Sequence, residues 1–446
     1  MNRFELEAQE IVDLSRRHTF FSWSAQDAVR PIPMVRGEGC FFWDAAGKRY
    51  FDLNSQSMCV NIGHGNRRVI EAIKAQAEEL VYAGPGMATP IRAELGRALA
   101  ARMPGALGKF FFTQSGAEAN ENAVKLARAA TGRFKILARY RSYHGATAGA
   151  MTLTGDHRRW ANEPGMPGVV HIPDPYRYRS PLFREGDSDQ RFAGLLLEQI
   201  EDIIRCEGAQ TIAALVVETI AGTNGVVVPP DGYLQGLRQL CDRYGILLVC
   251  DEVMTGFGRT GKWFAVDHWN VVPDLMTMAK GLTSAYLPLG AVAMSESIAG
   301  RFRESVYYGG LTYNAHPMCL AAALANLQVI EDEGLVENSA WLGQVLAERL
   351  AAMAEKHELI GEVRSLGLFG CIELVRDRAS KAPLGEAGQP APEMAQLVQD
   401  LRRRGVYAHT WRNLLLLVPP LIVAEPALRE VLATVDEALG CLHPPT

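Results

Sequence analysis

Between about Arg67 and Leu275 the chain alternates helix-period stretches with short, apolar, β-rich runs: Lys109 to Thr113, Phe134 to Ala138, Val169 to Ile172, Ala213 to Glu218 and Ile246 to Asp251. Strands alternating with helices predict an α/β architecture, a mostly parallel sheet covered on both faces. The working residues of such a sheet gather at the carboxyl ends of its strands, where helix N-termini also point. Thr113, Glu218 and Asp251 stand at such ends.

The flanks follow a different pattern. The first 60 or so residues read as a helix, a break at Pro31-Ile32-Pro33 and an antiparallel pair around the turn Asp44-Ala45-Ala46-Gly47-Lys48-Arg49. Beyond about Glu331 come a long helix (Ser339 to His357), strand signals at Ile360 to Ser365 and Gly370 to Val375, and a Pro/Gly-rich connector, Ala382 to Pro392. A helix from Glu393 to Arg404 and the run Leu414 to Val418 complete the pattern. Residues 1–62 and 331–446 are therefore expected to pack together as a smaller α+β domain beside a large domain of residues 63–330. No internal repeat or low-complexity tract is visible.

Composition narrows the classes. At 446 residues, 48% apolar and 21% charged, the chain has the make-up of an ordinary globular protein. A net charge of -5 gives no broad basic surface, so nucleic acid is not an expected partner, and Arg402-Arg403-Arg404 reads as a solvated helix end. The eight cysteines lack CxxC or Cys/His ligand spacing, so neither structural zinc nor a disulfide framework is expected, and no metal site. The N-terminus Met1 to Glu7 does not read as a secretory signal, and the longest apolar runs fall far short of the ~20 residues of a membrane span. The cytoplasm is the expected location.

The chemistry concentrates between Leu247 and Lys280. An apolar strand-like run delivers Asp251-Glu252-Val253, and 29 positions after Asp251 Lys280 ends an apolar segment in Met278-Ala279-Lys280-Gly281. A lysine at the end of such a run is partly desolvated, which makes its amine a competent nucleophile and proton shuttle. An amine to hold an aldehyde as a Schiff base and a carboxylate to keep a pyridine nitrogen protonated are the two groups pyridoxal phosphate needs.

Three further segments fit that cofactor, each with a plainer reading. Ser115, Gly116 and Ala117 follow a strand and open a helix, which favours a phosphate; Ser-Gly before a helix is also a common N-cap. Tyr143, before His144-Gly145, offers an aromatic face to a planar ring, or is a buried tyrosine with a satisfied hydroxyl. Val253 packs on the opposite ring face or belongs to the core.

With these parts assembled, the chain resembles, over almost its whole length, the class III aminotransferases of the fold type I pyridoxal-phosphate enzymes. The resemblance rests on Phe42-Trp43-Asp44 with Gly47-Lys48-Arg49-Tyr50-Phe51-Asp52, Ser115 to Asn120, Tyr143-His144-Gly145, Asp251 to Gly261, Ala279-Lys280-Gly281 and Leu311 to Pro317, in that order. It implies that Lys280 carries the cofactor and that Asp251 contacts the pyridine nitrogen. Ser115, Gly116 and Ala117 would hold the phosphate, and Tyr143 and Val253 would cover the ring faces. His144 and Glu218 also belong to this cofactor set, Glu218 with a possible partner in Arg259. Thr312 would reach the phosphate of a neighbouring subunit's cofactor, which implies a homodimer, or a tetramer built from it, with shared active sites.

The implied reaction is ping-pong transfer of an amino group from a donor to a 2-oxo acid, pyruvate or 2-oxoglutarate. The segments Phe21 to Gln26, Asn54 to Met58 and Arg139 to Thr147 look most like taurine-type and related ω-amino acid aminotransferases, with taurine, β-alanine or a similar amine as donor. Relatives acting with pyruvate often carry an arginine where this chain has His409. Arg412, three residues on, is the candidate for the acceptor's carboxylate, by the bidentate geometry arginine favours, or is a solvated loop cation. Arg141 is a candidate for a terminal sulfonate or carboxylate, or a structural ion-pair residue. Trp23 and Met58 line the side-chain pocket or the core. The same scaffold also serves aminomutases, epimerases and lyases, and a catalytically silent cofactor-binding protein is the alternative of another class, against which the presence of both Asp251 and Lys280 counts.

Overall fold

Three sheets organise the protein, whose computed structural model describes residues 6–385 and 391–442. The first contains β1 (Met34–Glu38), β2 (Phe41–Asp44) and β3 (Arg49–Asp52). The second runs through β4 (Lys109–Thr113), β5 (Lys135–Arg139), β6 (Val169–Ile172), β7 (Ile212–Glu218), β8 (Leu247–Asp251), β9 (Leu275–Met278) and β10 (Gly290–Met294). The third comprises β11 (Ile360–Ser365), β12 (Gly370–Asp377) with β13 (Ala382–Pro383) beside it, and the hairpin β15 (His409–Trp411) and β16 (Leu414–Leu417); between them β14 (Val406–Tyr407) returns to the first sheet.

The seven-stranded sheet has the order β4-β10-β9-β8-β7-β5-β6, and β10 alone runs antiparallel to its neighbours. Its strands alternate between two cores, as period-2 side chains on a doubly covered sheet must. Ile136, Val216, Val249, Leu275 and Val292 pack with the helix Gly116–Thr131 on one face. Leu137, Leu215, Leu248, Met276 and Ala291 enter the other core with Leu234 and Leu237 of the helix Tyr233–Tyr244. All seven residues of β7 are buried, which accounts for its unbroken apolar run.

The ends of the chain meet in the first sheet, where β14 pairs parallel to β3 through Val406 with Phe51 and Tyr407 with Asp52. The long helix runs Leu335–Lys356, four residues earlier at its start than its pattern predicts. β9 and β10 add two strands that the apolar pattern alone did not mark. Part of the expected connector, 386–390, lies outside the described residues, as do residues 1–5 of the expected N-terminal helix, which spans Ala8–His18.

Candidate active site

Asp251 closes β8 beside Glu218 at the end of β7, and opposite Thr277 of β9. The sheet thus brings three polar residues to one edge because parallel strands end together. Asp251 is buried, and its carboxylate accepts three hydrogen bonds. Its Oδ2 receives Asn120 Nδ2 at 2.8 Å and His144 Nδ1 at 2.7 Å, while Oδ1 receives the Val253 N–H at 3.0 Å.

Each donor is itself fixed. Thr277 Oγ1 donates to Asn120 Oδ1 at 2.8 Å, and Asn120 Nδ2 also reaches the His144 carbonyl at 2.8 Å, so the amide has one orientation. The carboxylate obliges His144 Nδ1 to carry a proton, and His144 Nε2 is buried without a partner. With about four lone-pair directions on a carboxylate and three taken, Asp251 keeps room for one more donor, such as a protonated ring nitrogen.

Lys280 follows β9 by two residues, partly exposed, with its backbone in the left-handed region at φ 43°. A non-glycine residue held there is strained by its surroundings, and such positions gather at functional sites. Ser284 and Ala285 share that conformation in the same loop, at φ 49° and 64°.

The turn after β4 opens a helix, as expected. Ser115 is the N-cap of Gly116–Thr131, its hydroxyl accepting the Glu118 N–H at 3.2 Å, while Glu118 Oε2 receives the Gln114 N–H at 2.7 Å. The N–H groups of Gly116 and Ala117 belong to the first helical turn, where no intrahelical acceptor exists, and with the helix dipole they favour an anion. A Cβ on Gly116 would stand 2.9 Å from both Val253 methyls, so Val253 lies directly against the turn. An open carboxylate position, a free helix N-terminus and a turn closed to any added methyl fit a planar phosphorylated cofactor.

Tyr143 is half-buried, with its backbone N–H on Glu218 Oε1 at 2.9 Å. Glu218 also receives the Gly222 N–H at 2.8 Å; burial and the nearby Asp251 push its carboxyl pKa up. The expected Glu218–Arg259 pair does not form. Arg259 is fully buried and donates instead to the carbonyls of Leu368 and Pro419 and to Asn61 Oδ1, at 3.0, 2.5 and 2.9 Å, tying the large sheet's loops to the C-terminal segment.

Among the residues expected on the substrate side, Trp23 meets Tyr143 edge-on, with ring centroids 5.9 Å apart. Met58 is buried at the end of a segment whose Ser55, Gln56 and Met58 all have positive φ. Arg141 is ion-paired through Nη1 to both oxygens of Asp174, at 3.1 and 2.8 Å. Arg412 sits in the tight turn between β15 and β16 at φ 57°. Thr312 is exposed at the surface, its carbonyl receiving Tyr82 Oη at 2.8 Å.

Three residues complete the site without having been expected. Asn120 lay inside a quoted motif, yet nothing in a helical asparagine signals that it holds a carboxylate 131 positions away. Arg158 lies with its guanidinium carbon 3.9 Å from the Tyr143 ring centroid and 4.4 Å from that of Trp411, and is ion-paired to Asp156. His409 is held neutral, because burial and then the charges of Arg158 and Lys280 press its pKa down to about 4.

The sequence profile of the family described as aminotransferase class-III matches residues 23–439. The chain is 35% identical to the taurine–pyruvate aminotransferase of Bilophila wadsworthia, over 96% of each chain. Its structure is similar to that of taurine:2-oxoglutarate aminotransferase from Bifidobacterium kashiwanohense in complex with PLP and glutamate, with a TM-score of 0.95 and 37% identity over 98% of both chains. It is also similar to a thermostable (S)-enantioselective omega-transaminase from Thermomicrobium roseum, with a TM-score of 0.93 and 38% identity over 98% of this chain and 99% of the other.

Proposed function

The chain belongs to the class III aminotransferases, and from that premise we propose that it moves an amino group from an ω-amino acid or amine, of the taurine or β-alanine kind, to a 2-oxo acid. The fold is that of the fold type I enzymes, and the cofactor is pyridoxal 5′-phosphate. The observation that carries the reading is the Asp251 carboxylate, held by Asn120, His144 and the Val253 N–H at the strand edge that also delivers Lys280.

When bound, the cofactor supplies an aldehyde for amine exchange and a protonated ring that withdraws electrons from the reacting carbon. Asp251 keeps the ring nitrogen protonated, and Asn120 and His144 hold that carboxylate in place. Lys280 Nζ would hold the cofactor's aldehyde at rest and, once freed, would serve as the base that moves the proton from the donor's amine-bearing carbon across the imine. Ser115, Gly116 and Ala117 anchor the phosphate, Tyr143 and Val253 cover the two ring faces, and Glu218 fixes the Tyr143 backbone. Trp23 and Met58 wall the donor's side. Arg412, with Arg141 beside it, draws the acceptor's carboxylate.

The working unit in this proposal is a homodimer in which Thr312 reaches the neighbour's phosphate. It is supported by Tyr82 and Tyr313 beside Thr312, two exposed aromatic side chains with ring centroids 6.2 Å apart, of which Tyr82 donates to the Thr312 carbonyl. Residues 63–330 form the cofactor domain and 1–62 with 331–446 its companion, a division supported by the β3–β14 pairing. A cytoplasmic location agrees with eight cysteines that are all free.

The test is a panel of donors (taurine, β-alanine, putrescine) with pyruvate or 2-oxoglutarate. Donor alone should shift the cofactor's absorbance, and either acceptor should reverse it. Release of ammonia without that shift would reject transamination.

A further inference from the structure

Among the buried residues of the helix Pro317–Asp332, Asn326 is the one polar side chain. Asparagine is a poor residue for a helix interior, and a buried amide costs stability unless its hydrogen bonds are made. The bonds of Asn326 all fall within one segment, the loop that follows Lys280. Nδ2 donates to the Gly281 carbonyl at 2.8 Å and to the Leu282 carbonyl at 3.1 Å, and Oδ1 accepts the Ser284 hydroxyl at 2.6 Å. No backbone N–H among the described residues reaches either carbonyl, so this amide is their donor.

The loop is gripped from a second side as well. A Cβ on Gly281 would stand 2.6 Å from Asn61 Nδ2 and 3.1 Å from Phe257 Cβ, and the Ser284 hydroxyl also receives the Ile62 N–H at 3.2 Å. Asn61 is itself fixed, donating to the Phe257 carbonyl at 3.1 Å and accepting from Arg259 Nη2 at 2.9 Å.

What this grip holds is strained backbone. Lys280, Ser284 and Ala285 have φ of 43°, 49° and 64°, a region that L side chains leave when they are free to. Such conformations persist only where the surroundings over-determine them. Relaxing Lys280 to an ordinary helical φ would turn its Cα–Cβ bond by roughly 100° about the N–Cα axis and carry the amine with it. The polar bonds that oppose this turn nearest the lysine are those of Asn326 to the next two carbonyls.

We propose that Asn326 is a positioning residue for Lys280: with Ser284 it keeps the loop on the left-handed path from which the lysine's amine meets the cofactor's aldehyde. It acts through the Gly281 and Leu282 carbonyls. The inference rests on the reading of Lys280 as the residue that holds the cofactor, and it accounts for an amide buried in an otherwise apolar helix face.

The test mixes cofactor-free full-length protein with pyridoxal phosphate, quenches with borohydride at successive times and maps the peptides, so that the rate of capture by Lys280 is read without turnover. Asn326→Ala and Asn326→Leu, the second keeping the volume, should slow capture on the order of 10²-fold, the scale of a 1 Å misplacement. Ser284→Ala, the milder change, should slow it about tenfold, and the double variant with Asn326→Ala should lose little more than Asn326→Ala alone, because the two side chains act as one unit. Hydrogen exchange of the amides from Leu282 to Tyr286 should quicken in the same variants. Arg133→Ala is the control for stability alone: Arg133 Nη1 donates to the carbonyls of Ala209, Ile212, Tyr244 and Gly245 near the starts of β7 and β8, and its loss should lower the melting temperature without slowing capture. Capture at the wild-type rate in Ser284→Ala and in every Asn326 variant that folds, or capture slowed equally in Arg133→Ala, would overturn the proposal. A wild-type map with the cofactor on another lysine would refute the reading of Lys280 instead, so the two fail separately.

Discussion

His144 Nδ1 lies 2.7 Å from Oδ2 of Asp251, with both side chains buried and Asn120 Nδ2 on the same oxygen at 2.8 Å. Two donors on one oxygen fix the carboxylate's plane, and the second oxygen is left with only the Val253 N–H. A negative charge held in this way is ready to stabilise a ring cation without reorganising.

Asp251→Asn keeps the shape and removes the charge. Its kcat should fall by about 10²–10³-fold, the scale of one preorganised electrostatic contact, while cofactor stays bound through the phosphate turn. His144→Ala, which removes one charge-assisted hydrogen bond to the same carboxylate, should cost about tenfold. Steady-state rates with cofactor occupancy read from absorbance separate the two, and a smaller loss for Asp251→Asn than for His144→Ala would contradict this ordering.

Gly116→Ala places a methyl 2.9 Å from both Val253 Cγ atoms. Val253 must then move off the turn. The overpacking, about 1–3 kcal/mol, should lower the melting temperature of the cofactor-free protein, and the displaced Val253 should also weaken cofactor binding by roughly tenfold or more. Equilibrium titration of cofactor into apoprotein checks it.

Arg158 backs the Tyr143 ring at 3.9 Å, held by Asp156 and by a 2.9 Å bond to Thr223 Oγ1. Cation–π contacts in a desolvated setting are worth about 2 kcal/mol or more, so Arg158→Ala should weaken cofactor binding by about 30-fold. Arg158→Lys keeps the charge but not the flat contact and should recover only part. Cofactor titrations of the three proteins measure this, and equal affinities would exclude a supporting role.

His409 has a folded pKa of about 4, below the ordinary histidine value near 6.5, so the unfolded chain binds the extra proton first as pH falls. Its contribution to stability is therefore complete above pH 6.5 and is lost between about pH 6.5 and 4, at most about 3 kcal/mol. Thermal melts over pH 4–7 should show this slope in the wild type and a shallower one in His409→Gln. Identical slopes would remove the assignment.

The strands Lys109–Thr113, Val169–Ile172 and Ile360–Ser365 were legible to the residue, because β-branched and aromatic runs bounded by polar turns leave little choice. β9 and β10 were not. Leu275–Met278 reads as an apolar lead into Lys280, and Gly290–Met294 has three small residues with one valine and one methionine, buried by its neighbours rather than by strand preference. Asp251 and Lys280 could be picked out because a charged residue ending an apolar run is locally conspicuous. Arg158 could not, since the residues that make it meaningful, Trp23, Tyr143, Thr223 and Trp411, come from four distant segments. Arg259 shows the same limit in reverse: charge complementarity suggested Glu218, whereas the fold satisfies it with carbonyl oxygens.

The most direct measurement is borohydride reduction of the cofactor-loaded enzyme followed by peptide mapping, because reduction fixes the cofactor to the amine that carries it. The account predicts the cofactor's mass on the peptide containing Lys280, and no fixed cofactor in Lys280→Ala. Labelling of a different lysine, or undiminished labelling in Lys280→Ala, would contradict it.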